Sequence, residues 1–420
     1  MRIWIFQTGE PLHIDDDFSR PMRAMNLADK LLASGHDVTI WSSSFSHQKK
    51  SHRSKIFKNI QQIERLEYKL VPSPGYGNNI GLARLYDHAK LALNLARLLK
   101  LQTHPLPDVI FIGYPPIEAA FMLASWAKKN KIPYIIDVKD QWPKIFLDKS
   151  PKILRPFAYL FLFHYFYIAK RVIREADVVS SISIPFLSWS QKFSGRKNCS
   201  QDIVAALTVK RNKPSIAQLQ KATKSLADKG LYLKEERPRF SFVGSISHSF
   251  NFSPVVEVAR LFKDKGYSAQ FVICGEGSCE TELQNIVKDL DNVILPGQIS
   301  VAEIEVLFSK SLASIAPYQN SDDFKKSIPN KVIDSLAHGL PLLTSLEGEV
   351  KSMVTKHNAG YFYNDVNTLF RHCCSVMNNQ DKLIDMKKSA LYCYSKYFDF
   401  DHTYDKLCDV LETLGKQNER

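Results

Sequence analysis

Regularly spaced cysteines are missing from this chain, and their absence removes two architectures at once. The seven Cys include no CxxC pair, and adjacent Cys373 and Cys374 cannot serve as two ligands of a usual metal motif. Neither a disulfide framework nor a zinc site is expected, and no metal or cofactor is assigned. A long apolar opening is absent too. MRIWIFQTGEP starts directly as a strand instead of a signal peptide, which predicts a cytoplasmic protein. The turn Thr8-Gly9-Glu10-Pro11 and the polar loop after it lack the second and third glycines of GxGxxG, which argues against nicotinamide-type dinucleotide binding. Zinc-finger, ribonucleoprotein and basic-zipper signatures are also lacking. The formal net charge of +13 therefore points to an anionic partner other than nucleic acid.

What is present reads as an α/β protein of two domains. A chain of 420 residues exceeds what one hydrophobic core usually serves. Strand and helix patterns alternate from the start: Arg2 to Gln7, a helix from Pro21 to Ser34 with Ser19 as its cap and Gly35 as its stop, and a strand from His36 to Trp41. A basic loop over Ser42 to Lys58 and a strand at Glu67 to Val71 follow, then a helix from Leu82 to Leu101 and strands at Asp108 to Ile112 and Tyr134 to Val138. Repeated units of this kind predict a parallel, doubly wound sheet. Residues 1–210 are read as one such domain and the polar, Lys-rich 210–237 as a connection. Residues 238–395 form the second domain, beginning at the strand Arg239 to Val243, and 396–420 a terminal helix packing back on the first domain.

The candidate sites lie at strand ends. In the second half Ser327 to Ser345, SIPNKVIDSLAHGLPLLTS, reads as a helix opened by Pro329 and closed by Gly339, then a short apolar strand. Val332, Ile333, Leu336 and Ala337 would face a sheet, leaving Lys331 and Asp334 one turn apart on a polar face near the positive helix end, where an anion sits well. Gly244-Ser245 and Gly275-Glu276-Gly277 end earlier strands, where main-chain amides approach a nucleotide closely. In the first half Asp137, Lys139, Asp140, Gln141 and Trp142 stand at a strand's carboxyl end, the crevice side of open α/β sheets.

IPNKVIDSLAHGLPLL resembles the donor-site motif of glycosyltransferase family 4, retaining enzymes of the GT-B architecture, with FVGS, VICGEG and LPGQIS in the family's order before it. GHDVTIW, IIDVKDQWP and EADVVSSIS resemble counterparts in members that build bacterial surface polysaccharides. The resemblance implies two Rossmann-like domains facing a cleft and a nucleotide-diphosphate sugar donor, UDP-linked by preference. It also implies a lipid-linked or oligosaccharide acceptor and no metal. Lys331 would contact the diphosphate and Asp334 the ribose, with Gly244, Ser245, Gly275, Glu276, Gly277, Ile299, Lys326 and Asn330 around the donor. Gly9, Glu10, His13, Arg20, Lys139 and Asp140 would border the acceptor, Asp140 orienting its hydroxyl. Lys326 departs from the pattern, standing where the family's first acidic residue falls, and Ser247, His248 and Ser249 replace its basic pair. A nonhydrolysing nucleotide-sugar epimerase and a catalytically inactive partner share this architecture and stay open.

One further stretch, PKILRPFAYLFLFHYFYIAKRVIR over Pro151 to Arg174, crowds aromatic residues between basic ends. It is too short and interrupted to span a bilayer, which asks for about 20 apolar residues. Phe157, Phe161, Phe163 and Tyr167 fit an interfacial helix on an anionic membrane, at the inner face of the cytoplasmic membrane; a helix buried all round is the alternative.

Overall fold

The structure, a computed structural model, describes residues 1–15, 21–78, 81–102, 105–197, 200–211, 214–233 and 237–418. The chain divides into two compact units, Met1–Ala206 with Asp401–Arg420, and Leu207–Phe400.

The first unit is built on an eight-stranded sheet. Its order is Ile203–Val204, Val178–Ser181, Tyr134–Val138, Val109–Tyr114, Arg2–Phe6, Asp37–Ser43, Leu66–Val71, Lys58–Ile63. Seven strands run parallel, and continuous apolar runs such as Val109-Ile110-Phe111-Ile112 are buried on both faces, as a helix-covered parallel sheet requires. Register is set by pairs such as Ile3 with Val38 on one side and Val109 on the other. The last strand, KNIQQI, starts where the basic loop ends, in a stretch given no element from the sequence, and pairs antiparallel with Leu66–Val71, so the sheet is not wholly parallel. It is largely exposed and carries polar residues, the composition that keeps a sheet edge from recruiting another chain.

The helices Leu82–Leu101, Ile117–Lys129 and Arg155–Arg174 share one core with Trp4, Ile110, Ile112, Tyr134 and Val179. The helix Arg23–Ala33 is not capped by a side chain at its N-cap Met22; instead Glu10, from the loop after the first strand, accepts the Ala24 N–H at 2.9 Å. Ser19, expected as that cap, lies outside the described residues. The terminal helix Phe400–Asn418 is tied to the same unit by Asn26 donating to the Tyr404 hydroxyl, by Lys30 with Asp401 and Asp405, and by His36 with Glu412.

The second unit holds six parallel strands in the order Val293–Gly297, Gln270–Cys274, Arg239–Val243, Ala313–Ala316, Leu342–Thr344, Gly360–Phe362. Residues 210–237 are not a plain connection. Ile216–Asp228 is a helix with a Ser215/Gln218 capping box, and its Ala222 and Leu226 enter a core with Val272, Leu307 and Leu340. In both units the strand order reverses beside the first strand, and it is at these two places that the candidate residues gather.

Candidate active site

The donor-side candidate is assembled by a helix, three glycine turns and one aromatic loop. The helix runs Asn330–Ala337, with Pro329 at its N-cap, and Val332, Ile333, Leu336 and Ala337 are all fully buried. This leaves Lys331 and Asp334 half-buried on the other face. His338 pins the carboxyl end: its Nδ1 lies 2.7 Å from the Asp334 carbonyl and its Nε2 2.9 Å from Glu305 Oε2.

Lys331 does not wander in solvent. A Cβ added to Gly244 would lie 1.6 Å from Lys331 Cε, so the lysine stem runs through the space that any side chain at 244 would need. Its Nζ rests 5.1 Å from the centroid of the Phe250 ring, within cation–π range. Phe250 itself packs at 4.7 Å on Tyr318, and the two residues bridge the loops that leave the Arg239–Val243 and Ala313–Ala316 strands. The Tyr318 phenol is held well above its usual range, first by burial and then by the negative charge of Asp334, so Asp334 acts on this same corner.

The neighbouring turns are close-packed main chain. Gly244 N–H donates to the Cys274 carbonyl at 2.9 Å, and Gly275 N–H to the Gly297 carbonyl at 2.8 Å. A Cβ on Gly275 would fall 1.9 Å from the Gly244 carbonyl oxygen, and one on Gly277 2.2 Å from that of Ile246. All three glycines also hold φ between +131° and +159°, which side chains disfavour. Ser245 and Glu276 are exposed beside these turns. Ile299 turns instead toward the core that contains Leu226, so its side chain supports the unit. Asp322 and Asp323 open a helical turn, Asp322–Lys325, capped by Ser321; Lys326 follows it half-buried, and Lys325 pairs with Glu347 at 2.5 Å.

In the first unit the switch point lies between Arg2–Phe6 and Val109–Tyr114. Lys139 reaches across it, donating to Gln7 Oε1 at 2.8 Å and to Glu10 Oε1 at 2.5 Å. Gly113 makes room for this, since a Cβ there would lie 1.9 Å from Gln7 Oε1. Beneath it a buried ion pair joins Arg23 Nε and Asp137 Oδ2 at 3.5 Å, with Ser180 donating to the other Asp137 oxygen. Arg23 also donates to the Ala205 and Ala206 carbonyls. Asp137 thus holds the domain together, a part that its position at a strand end does not reveal. Asp140 accepts the Gln141 N–H at 2.8 Å, and after burial its charge is the next cause raising the Tyr114 phenol above its usual range. Gly9 makes the turn at φ +78°. His13 is engaged by the Tyr68 hydroxyl and by Asp29 at 2.9 Å, which fixes its loop to the sheet. Arg20 lies outside the described residues.

Residues 237–379 match the sequence model of the family described as Glycosyl transferases group 1. Among curated proteins none matches. Solved structures that share the whole fold include the following three. The Anabaena protein HepE, in complex with UDP and glucose, superposes with a TM-score of 0.62 at 13% identity, over 98% of this chain and 100% of its own. WaaG, a glycosyltransferase involved in lipopolysaccharide biosynthesis, gives 0.64 at 15% identity over 98% and 99%. An α,α-trehalose 6-phosphate synthase from Burkholderia multivorans gives 0.68 at 12% identity over 100% and 97%. The chain has the GT-B fold, two Rossmann-like parallel-sheet units, and the group 1 glycosyl transferase match lies in the second of them.

Proposed function

We propose that this protein is a metal-independent, retaining glycosyltransferase that moves a sugar from a UDP-sugar to a lipid-linked or oligosaccharide acceptor in bacterial surface-glycan assembly. The observation that carries the reading is the Lys331 stem laid across Gly244, at the carboxyl edge of a sheet whose neighbouring turns are bare main chain. A diphosphate there meets a full positive charge, the amides of a helix's first turn and no competing side chain. Asp334, one turn on, accepts from the ribose hydroxyls. As the bond between the anomeric carbon and the diphosphate breaks, the pair of electrons leaves with a group that Lys331 already neutralises. The acceptor oxygen, oriented by Asp140, enters on the same face as its hydroxyl proton passes to the departing diphosphate oxygen, and Lys326 favours a donor sugar with an acidic or acetamido group. HepE with UDP and glucose supports the choice of nucleotide.

Radiolabelled UDP-sugars incubated with and without a lipid-linked acceptor test this directly. Label should pass to the acceptor, and EDTA should leave the rate unchanged. Isomerisation of the donor without an acceptor would make the protein an epimerase, and rescue of EDTA-treated protein by Mg²⁺ or Mn²⁺ would overturn the metal-free mechanism.

Membrane docking is part of the same proposal. Leu162, Tyr165, Phe166, Ala169, Val172 and Ile173 of the Arg155–Arg174 helix are buried, whereas Phe157, Phe161, Phe163 and Tyr167 are 71%, 67%, 60% and 59% exposed. Ile153 and Leu160 extend the same apolar surface, with Lys152, Arg155 and Lys170 nearby in sequence. One helix therefore has a core face and an exposed aromatic face, a pattern that suits rings at headgroup depth above anionic lipid. No helix among the described residues is long and apolar enough to cross a membrane. In flotation the wild type should bind anionic vesicles at low salt, each nearby basic residue contributing about 1 kcal/mol, and Phe161→Ser with Phe163→Ser should release it. Binding unchanged in that variant would assign the helix another partner.

A further inference from the structure

We infer that the first unit carries a binding site for one anionic phospholipid, a groove between the Arg155–Arg174 and Ile184–Ser194 helices that takes an acyl chain along aromatic rings and the phosphate at Lys170 and Lys192. The identity of the occupant rests on the membrane docking proposed above; the groove and its chemistry do not.

The groove has a volume of about 480 Å³ and is lined by Tyr159, Phe166, Lys170, Trp189, Lys192 and Phe193. That size holds a small organic ligand. On the longer helix Tyr159, Phe163, Phe166 and Lys170 recur at intervals of four, three and four residues, which places them on one stripe. Trp189 and Phe193 are one turn apart on the shorter helix, with Lys192 beside them. The rings are ordered along the groove. Tyr159 packs on Phe166 at 4.9 Å between centroids, Phe166 on Phe193 at 6.1 Å, and Phe193 stacks on Trp189 at 4.9 Å with 11° between the planes. The positive charge is gathered at one end. Lys170 Nζ lies 5.6 Å from the Phe193 centroid and Lys192 adjoins Phe193 in the chain, whereas Tyr159 stands three turns before Lys170, about 16 Å away along the helix axis.

This lining sorts the possible occupants. It includes no carboxylate or carboxamide side chain to accept from sugar hydroxyls, and a free inorganic anion would leave the aromatic wall uncovered. An amphiphile with an anionic head and an extended apolar tail matches both ends, the ammonium groups donating to the phosphate. The acidic residues nearest in sequence to the two lysines are held by other cations: Glu175 by Lys128 and Arg171, each at 3.0 Å, and Asp202 by Arg196 at 2.9 Å. Phe166 is buried at the base, Trp189 and Phe193 are half-buried, and Tyr159 is exposed, so the groove is rooted in the core and open to the outside. Exposed Phe163 on the same stripe and exposed Tyr167 beside it make the opening continuous with the aromatic face proposed to meet lipid. The molecule at hand there is a bilayer phospholipid. Such a site is saturable, which adsorption of a helix face to a surface is not.

Calorimetry of the full chain with dihexanoyl-phosphatidylglycerol, kept monomeric below its critical micelle concentration, tests the groove without a bilayer. Binding should saturate at one lipid per chain, and Lys170→Gln with Lys192→Gln should weaken it by about tenfold or more. Lys170→Arg with Lys192→Arg keeps the charge and should stay close to wild type, which separates lost recognition from lost folding. Dihexanoyl-phosphatidylcholine, with the same chains and no net charge, should bind about tenfold more weakly. Equal binding by the Gln variant, or of phosphatidylcholine by the wild type, overturns the site for an anionic lipid. Equal binding of glycerol phosphate, which has no chain, makes the groove a phosphate site and overturns it as well. Phe161 follows Tyr159 by two residues and so lies on the opposite side of the helix; a loss in Phe161→Ser as large as in the Gln variant would mean adsorption by the aromatic face and would also overturn the groove. Because monomers need neither a vesicle nor sugar transfer, failure here is distinct from failure of the flotation or UDP-sugar assays.

Discussion

Lys331→Ala is expected to lower the rate of sugar transfer by about 30- to 1000-fold while leaving the fold intact, because a charge-assisted contact to the leaving diphosphate is worth about 2–4 kcal/mol in the barrier. The stem of Lys331 is half-buried but touches the turn at Gly244 and the Phe250 ring, not the core beneath the helix, so melting should change little. Lys331→Arg should recover only part of the rate, since a planar fork does not replace an ammonium threaded past a glycine. Gly244→Ala gives the same answer from the other side. Its Cβ would occupy the position of Lys331 Cε and should displace the lysine, so it should lose activity with Lys331 still present. Initial rates at saturating UDP-sugar measure both, and near-wild-type turnover in Lys331→Ala would remove this corner from the mechanism.

The second large effect concerns stability. Arg23→Ala should destabilise the first unit by about 3–5 kcal/mol, the cost of leaving one member of a buried ion pair behind. Asp137 is fully buried, and without Arg23 it keeps Ser180 but loses its counter-charge, while the Ala205 and Ala206 carbonyls lose their donor. For a unit of this size the melting temperature should fall by on the order of 10 °C, as read by scanning calorimetry. Replacing both partners by apolar residues of similar volume should cost less than Arg23→Ala alone. A melting temperature unchanged in Arg23→Ala would mean that the pair contributes nothing.

Several elements were legible in the sequence because two signals coincide in them. Leu82–Leu101 and Arg239–Val243 carry the right apolar period and are bounded by glycine or proline, and the structure has them at those bounds. The helix at Asn330–Ala337 was legible for the same reason, and so was its polar pair. Lys58–Ile63 escaped because a polar edge strand shows no alternation; its backbone pairing with Leu66–Val71, not its side chains, makes it a strand. Ile216–Asp228 escaped because only Ala222 and Leu226 among its residues are buried. Contacts across the sequence left no local trace at all. Nothing near Gly244 announces Lys331, nothing near Arg23 announces Asp137, and the carboxylate that opens the Arg23–Ala33 helix comes from Glu10 in the preceding loop.

The bare turns at Gly244, Gly275 and Gly277 also bear on how this protein changes over generations. A surface made of main chain offers selection no side chain to exchange: a Cβ at Gly275 or Gly277 would meet a main-chain oxygen at 1.9 or 2.2 Å, and one at Gly244 would have to displace Lys331. Drift in donor preference must then enter through the rim, at exposed Ser245 and Glu276 and at half-buried Lys326. If this corner holds the donor as proposed, a lineage can alter which sugar it carries while inheriting the main-chain turns unaltered.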